Sequence, residues 1–488
     1  MGDKRALGAL SDRALAGLAA ALLASMLAAA LHDASRAWDV WSYHLPFAGR
    51  LVGILPERVF ALHPLDAARF DGYPLLGELA QGVLWRVTGR PESVNLVAFA
   101  SVPLLAWFAR RRFGVPWHAT VLALLAIPLV HVHATSAYVD LPANAAATVL
   151  VLLAIDAHAS AAPPSGRTLA LAALAAAIVI NTKFQLHPFA LAALVALSAR
   201  VVPALARDVR SSGAARARAR ATLAIALVAA PVVFFRPLEN LARHGNPYYP
   251  VRLELGVVTL DGPEAPYHFA PAWLARAPAP ARFAASLAEV GLRPMTSTRR
   301  WTIDQWMPDD AAGARLGGFF HAYVLVEIVL LAARVARDRS RLARAAGGGF
   351  VALTAIATVV PQSHELRYYM VWMTTLVTLN LALAARAGAR PSPLGVRGLE
   401  LVSLGALAVV LFVTRAGYAY PSGVSVAGLV REVVDARAID RVPDGGVLCV
   451  EAAPFAVLYA SPFHGGRDYT VREVEHAADC AAGDVVGP

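Results

Sequence analysis

The run ALAGLAAALLASMLAAAL, residues 14–31, leads within a few residues into WDVWSYHLP, residues 38–46. A stretch of that length without a single charge is long enough to cross a bilayer. Lys4, Arg5 and Arg13 precede it, so the positive-inside bias keeps the N-terminus cytoplasmic. Asp39 then emerges at the outer membrane–water boundary, among Trp38, Trp41, Tyr43 and His44. An acid held at that height suits chemistry on a substrate whose tail stays in lipid. Read structurally, the same aromatics are an interfacial belt and Asp39 a solvated loop acid. At this point both readings stand.

Composition fixes the class. The chain has 488 residues, 57% hydrophobic and 16% charged, with mean hydropathy +0.53. These values describe a polytopic membrane protein. The first apolar run lacks a small-residue cleavage site and is followed by further spans, so it reads as a retained signal anchor. The net charge of +10 is not a nucleic-acid signature, because much of the excess lies in short loops where basic residues set topology.

About eleven spans follow from the hydropathy pattern. They lie near 14–31, 92–109, 117–135, 139–157, 168–181, 185–203, 221–238, 316–334, 347–361, 367–385 and 398–414. The short clusters Arg110–Arg112, Arg207–Arg220, Arg334–Arg344 and Arg386–Arg397 then fall inside, and two long loops, about 32–91 and 239–315, fall outside. Residues 45–62 and 75–87 mix charge with apolar positions at helical spacing and read as helices lying in the outer interface. The tail, 416–488, falls outside and reads as a small α/β segment: GVLCV (446–450) and RDYTV (467–471) as strands, 453–460 as a short helix. Both cysteines lie in it. Cys449 is read first as a buried strand residue; a disulfide to Cys480 is the alternative that an oxidising exterior permits. No CxxC or HExxH spacing occurs.

The order of the polar motifs carries a resemblance. An acid and an aromatic-His-x-Pro segment open the first outer loop. FDGYPLLGELAQGVLWRVTGR (70–90), YVDLP (138–142) and NTKFQ (181–185) follow, then ENLARHGNPYYP (239–250) and HELRYY (364–369). Together, over residues 10–415, they resemble polytopic glycosyltransferases of the GT-C fold, of the bacterial protein O-mannosyltransferase-like and lipid A aminoarabinose transferase-like kinds. The implied architecture is an all-α polytopic membrane bundle, residues 1–415, with long outer loops and the α/β tail. The implied activity (EC 2.4 type) is inverting transfer of a sugar from a polyprenyl-phosphate-linked donor to a glycan, lipid or protein acceptor on the extracytoplasmic face. The implied location is a bacterial inner membrane.

Each residue expectation follows from the resemblance together with the chemistry. Inverting transfer needs a carboxylate to deprotonate or orient the acceptor; the acid opening the first outer loop maps onto Asp39, and Asp140 is a second. The leaving group is a lipid phosphate, which needs positive charge. Of 44 basic residues only Lys4 and Lys183 are lysine, so a lysine at the turn of an apolar hairpin stands out. Lys183, Arg367 and Arg243 are therefore the candidate phosphate-binding residues, although a lysine at a helix end also simply snorkels. Tyr43, His44, Asp71, Glu78, Asn246, Tyr248, His364, Glu365 and Tyr368 are candidates to line the substrate cavity. Trp301, Asp304, Gln305 and Trp306 are acceptor candidates, and 263–273 reads as a lid. The loop at Lys183 holds no further acid, so the sequence lends a divalent metal no support while leaving one open, and no other cofactor is expected. WDVW supplies one acid where the protein O-mannosyltransferase pattern has two, which leaves the acceptor class open. The rival readings are a surface-glycan ligase or polymerase, a lipid-linked-substrate transporter or flippase, and a non-catalytic assembly subunit. A transporter would usually carry internal repeats and midplane charges; the chain has no repeat, and its polar clusters sit at the outer ends of the spans.

Overall fold

The computed structural model describes residues 2–35, 37–266, 274–288, 318–387, 395–414, 416–451 and 454–487. Residues 301–306 and most of the expected lid, 267–273, lie outside them. Among the described residues seven helices are long and apolar enough to cross a membrane, or eight if one bent pair is a single span. They are Leu10–His32, Pro91–Phe113, Asp140–Ala159, Phe184–Val209, Arg341–Val359, Leu366–Arg386 and Val396–Val413, and the bent pair is Ala214–Val233 with Phe235–His244. Outward-facing side chains such as Val195, Leu227, Val228 and Phe412 are exposed, as lipid-facing positions should be. The chain is a multi-pass membrane protein.

Four of the eleven expected spans take a different form. The one placed at 117–135 is broken into Trp117–Leu125 and Pro128–His133, because Pro128 cannot donate to the helix preceding it. The spans at 168–181 and 316–334 are the helices Gly166–Ile180 and His321–Arg337, of 15 and 17 residues, and the one at 221–238 is bent where Ala214–Val233 meets Phe235–His244.

Two helices occupy the centre of the bundle, Asp140–Ala159 and Met370–Arg386, and nearly all of each is buried. Polar side chains stitch them together. Asn144 Nδ2 donates to the carbonyls of Asp140 and Arg367, at 2.8 and 3.3 Å. Its Oδ1 accepts from Val371 N at 2.7 Å. One turn further on, the hydroxyls of Thr148 and Thr374 meet at 2.6 Å. At the far end Asp156 accepts from Arg112 and Arg386, at 2.8 and 3.0 Å. An apolar environment leaves few alternative partners for such groups, so they fix the register of the two helices. Asp140 and Arg367 are thereby held side by side.

The tail is folded onto the first outer loop. Its strands Gly446–Val450, Tyr469–Glu473 and Val485–Val486 form a parallel sheet, to which the loop contributes the edge strand Phe60–Ala61. Phe60 pairs with Val471, and Leu448 with Val485. A single apolar cluster joins Trp41, Leu45, Phe60 and Trp85 of the loop to Val426, Leu448, Val457 and Tyr469 of the tail. The Asp33 carboxylate accepts from the backbone of Ser422 and Gly423, at 2.6 and 3.2 Å. Of the two readings of Cys449, both hold: it is a fully buried strand residue and it is disulfide-bonded to Cys480.

Candidate active site

Asp39 stands where the chain leaves the first span, just before an unusual turn of π-helix, Val40–His44. Such wide turns re-aim side chains and recur at functional sites. Asp140 is the first residue of its central helix, and Lys183 lies in the short turn between Gly166–Ile180 and His187–Val209. Arg367 sits in a 3₁₀ turn, Leu366–Tyr369, that opens the other central helix.

These four residues form two ion pairs. Arg367 Nη1 donates to Asp39 Oδ2 at 3.0 Å, and Lys183 Nζ lies 3.0 Å from Asp140 Oδ1. Tyr368 ties the pairs together. Its ring carries the Lys183 ammonium at 4.7 Å and the Arg367 guanidinium at 4.9 Å, and its hydroxyl accepts from Arg367 Nη2 at 3.1 Å. Tyr138 flanks the other side, with its hydroxyl 3.3 Å from Arg367 Nη1. Two cations around one aromatic ring, each paired with a carboxylate, make a compact and nearly neutral cluster. The aromatic contacts add to the attraction on the cations.

Burial pushes the Asp39 carboxyl up, but the charges of Arg367, His44 and Lys183 together outweigh it and hold Asp39 below the ordinary carboxylate range. It is a carboxylate at neutral pH. Tyr43, beside it, is shifted well upward by burial and then by the Asp39 charge, and stays a neutral phenol.

The helix Leu76–Thr88 braces this cluster. Glu78 accepts from, or shares a proton with, His44 Nδ1 at 2.7 Å, and His44 meets the Tyr138 ring at 5.6 Å. Gln81 Nε2 donates to Ala137 O at 2.6 Å. Gly77 allows the close approach: a Cβ there would come within 2.6 Å of Val139 and 3.1 Å of Thr182, the neighbours of Asp140 and Lys183. Asn181 accepts from Arg236 N and donates to the carbonyls of Val232 and Val233, which pins the bent helix pair to the Lys183 turn.

The expected residues divide. Asp39, Asp140, Lys183, Arg367 and Tyr368 come together, with Tyr43, His44 and Glu78 adjoining. Tyr248 packs on Phe184 and His187, next to the Lys183 turn. Arg243 is not drawn into the cluster: it pairs with Asp71 at 2.8 Å and is half-exposed, while His244 also meets Asp71 at 3.0 Å. Asn246 spends its amide on Val251 O, Asp261 O and Tyr248 N, which closes its own loop rather than lining a cavity. His364 is buried, and Glu365 immediately precedes the Arg367 turn. Sequence reasoning missed Asn144, whose signal is an amide one turn after Asp140 in an apolar helix. It also missed His133, fully buried with its ring 4.9 Å from Tyr138.

No protein-family model matches this sequence, and no curated protein does. Solved structures do. The crystal structure of ArnT from Cupriavidus metallidurans bound to undecaprenyl phosphate is similar over 94% of this chain and 85% of its own, with TM-score 0.52 and 12% identity. The chain has the GT-C fold. The apo structure of ArnT from the same organism covers 96% of this chain and 86% of its own, at 14% identity and TM-score 0.49. At such identities the likeness speaks for the fold, and the chemistry has to be argued from the cluster itself.

Proposed function

We propose that this protein is a membrane glycosyltransferase that moves a sugar from a polyprenyl-phosphate-linked donor to an acceptor hydroxyl or amine at the outer face of a bacterial inner membrane. The observation that carries the reading is the pair of ion pairs, Asp39–Arg367 and Asp140–Lys183, joined through Tyr368 at the ends of membrane helices. It is supported by the GT-C fold shared with a protein crystallised with undecaprenyl phosphate.

In this reading Asp39 takes the proton of the acceptor as its nucleophile attacks the anomeric carbon from the face opposite the donor phosphate. The bond between anomeric carbon and phosphate oxygen breaks, and its electron pair leaves with the lipid phosphate. Lys183 and Arg367 receive that charge: the ammonium as a compact point charge, the guanidinium as a fork that can grip two oxygens. No metal is invoked, because the two cations supply the positive charge. Asp140 holds Lys183 in place and orients the acceptor. An incoming phosphate competes with the carboxylates for both cations, so donor binding frees Asp39 to act as base.

The test follows release of polyprenyl phosphate from a panel of polyprenyl-phosphate sugars, with purified protein in nanodiscs and membrane extract as acceptor source. Turnover by wild type and collapse in Asp39→Asn is expected. Consumption of no donor, or an equally active variant, would remove the transferase reading.

A further inference from the structure

At the end of the bundle away from the Asp39–Arg367 cluster, a basic basin opens into an apolar groove. The basin, about 520 Å³, is lined by Arg200, Arg341, Arg344 and His158, with no carboxylate on its wall. The groove, about 340 Å³, continues from it along three helices, Asp140–Ala159, His187–Val209 and Arg341–Val359, and shares His158 and Ala345 with the basin. Such a volume lies in the range of small-molecule sites, roughly 300–1,000 Å³.

The groove exists because its walls are made of small residues. Ala192, Ala193 and Ala196 form one side; Gly348, Gly349 and Ala352 form the other. Small residues usually let membrane helices close on each other. Gly349 does this, since a Cβ there would meet Ile155 at 2.6 Å. Gly348 does not: a Cβ there would meet nothing within 4 Å. One glycine thus brings the helix onto its central neighbour while the next leaves a lipid-facing gap.

The cations at the mouth have capacity to spare. Arg200 caps the end of the central helix, with Nε to Ala157 O at 3.1 Å and Nη2 to Ser160 O at 2.8 Å, which fixes its guanidinium in place. Arg344 donates to Arg339 O at 2.8 Å, and His158 Nε2 lies 2.9 Å from Ala196 O. The Arg341 guanidinium, at the start of the helix Arg341–Val359, makes no hydrogen bond or ion pair among the described residues. The central helix spans 20 residues from Asp140 to Ala159, roughly 30 Å at 1.5 Å per residue. The basin is therefore a membrane thickness from Asp140, at the height of the other leaflet's headgroups.

We propose that this basin and groove bind an anionic phospholipid of the leaflet opposite the active site, the phosphate on Arg341, Arg344 and Arg200 and one acyl chain in the Ala/Gly groove. The occupant follows from charge and shape together: three arginines on a wall that carries no acid, at headgroup height, continuous with an apolar slot. The site is separate from the sugar-transfer cluster and does not depend on that reading.

The test is native mass spectrometry of delipidated protein with phosphatidylglycerol or phosphatidylcholine of identical chains, and with glycerol phosphate, which has the headgroup without chains. Wild type should retain phosphatidylglycerol preferentially. Arg341→Ala/Arg344→Ala should weaken it about tenfold or more, Arg341→Lys should keep most of the binding, and Gly348→Leu should fill the groove and abolish it. Thermal midpoints without lipid check that each variant is folded. Equal retention of the two lipids, or phosphatidylglycerol binding unchanged in the double arginine variant, would overturn the headgroup assignment. Unchanged binding in Gly348→Leu, or glycerol phosphate binding as tightly as the lipid, would overturn the groove.

Discussion

Arg367 donates to Asp39 at 3.0 Å across 328 residues of sequence, and both side chains are largely buried. Two charges withdrawn from water in this way depend on each other: removing one partner leaves the other uncompensated, at a typical cost of about 3–5 kcal/mol. Arg367→Met should therefore lower the thermal midpoint clearly, and Asp39→Asn/Arg367→Met should recover much of that loss. Activity should stay lost in both. A double variant as unstable as the single arginine variant would show that the pair does not act as a unit in folding.

Asp39 also sets a pH expectation. Its carboxyl is held below the ordinary range by neighbouring cations that outweigh burial. A depressed acid contributes stability that is present above its unfolded pKa, about 3.9, and lost as pH falls through the lower folded value. Asp39 should thus impose no acid limb on turnover between about pH 4.5 and 8. In Arg367→Gln the largest compensating charge is gone while burial remains, so the acid limb of stability should move upward. Because that variant is expected to be inactive, the pH dependence of the thermal midpoint of the two proteins decides it; a limb that stays in place would mean that Arg367 does not control the Asp39 carboxyl.

Much of this cluster was legible because its residue types are improbable where they stand. Lys183 is conspicuous in a chain whose cations are nearly all arginine, and Asp39 and Asp140 each mark the edge of an apolar run. The third-span break needed only Pro128, which hydropathy averaging concealed. The Phe60–Ala61 strand was not legible: two residues have no period, and their pairing depends on Tyr469–Glu473, over 400 positions away. The same holds for Arg243 and Asp71, whose types suit a phosphate site and a substrate cavity respectively but whose fold position pairs them with each other.

Asn144 has no contact with a carboxylate, yet it determines where Arg367 stands. Asn144→Leu removes three hydrogen bonds and leaves Val371 N without that acceptor in a buried site. A buried group stranded in this way costs about 1–3 kcal/mol. The thermal midpoint should fall, and kcat should fall further than the stability loss explains because the Arg367 turn is released. Unchanged kcat in a folded Asn144→Leu protein would show that Arg367 is held by other means.

Gly77 offers a finer perturbation of the same site. A methyl group at this position overlaps Val139 and Thr182, so Gly77→Ala must push the Leu76–Thr88 helix away from Asp140 and Lys183. The global fold should survive, since overpacking typically costs about 1–3 kcal/mol. Donor turnover should drop severalfold, while Gly89→Ala on the exposed C-cap of the same helix should affect stability alone. Equal turnover losses in the two variants would argue that Gly77 matters only for folding.

The Cys449–Cys480 disulfide reports on orientation. It closes a segment with a sequence separation of 31, and disulfides over loops of this size contribute about 2–4 kcal/mol. Such bonds persist in oxidising compartments and are kept reduced in the cytoplasm. If the tail lies on the outer side, protein isolated under alkylating conditions should carry the bond completely, and Cys449→Ala/Cys480→Ala should lower the midpoint. The tail packs on the first outer loop through Trp41 and Trp85, so the same measurement locates the face on which Asp39 works. Two free thiols alkylated in intact cells would place the tail, and the Asp39 cluster with it, on the cytoplasmic side.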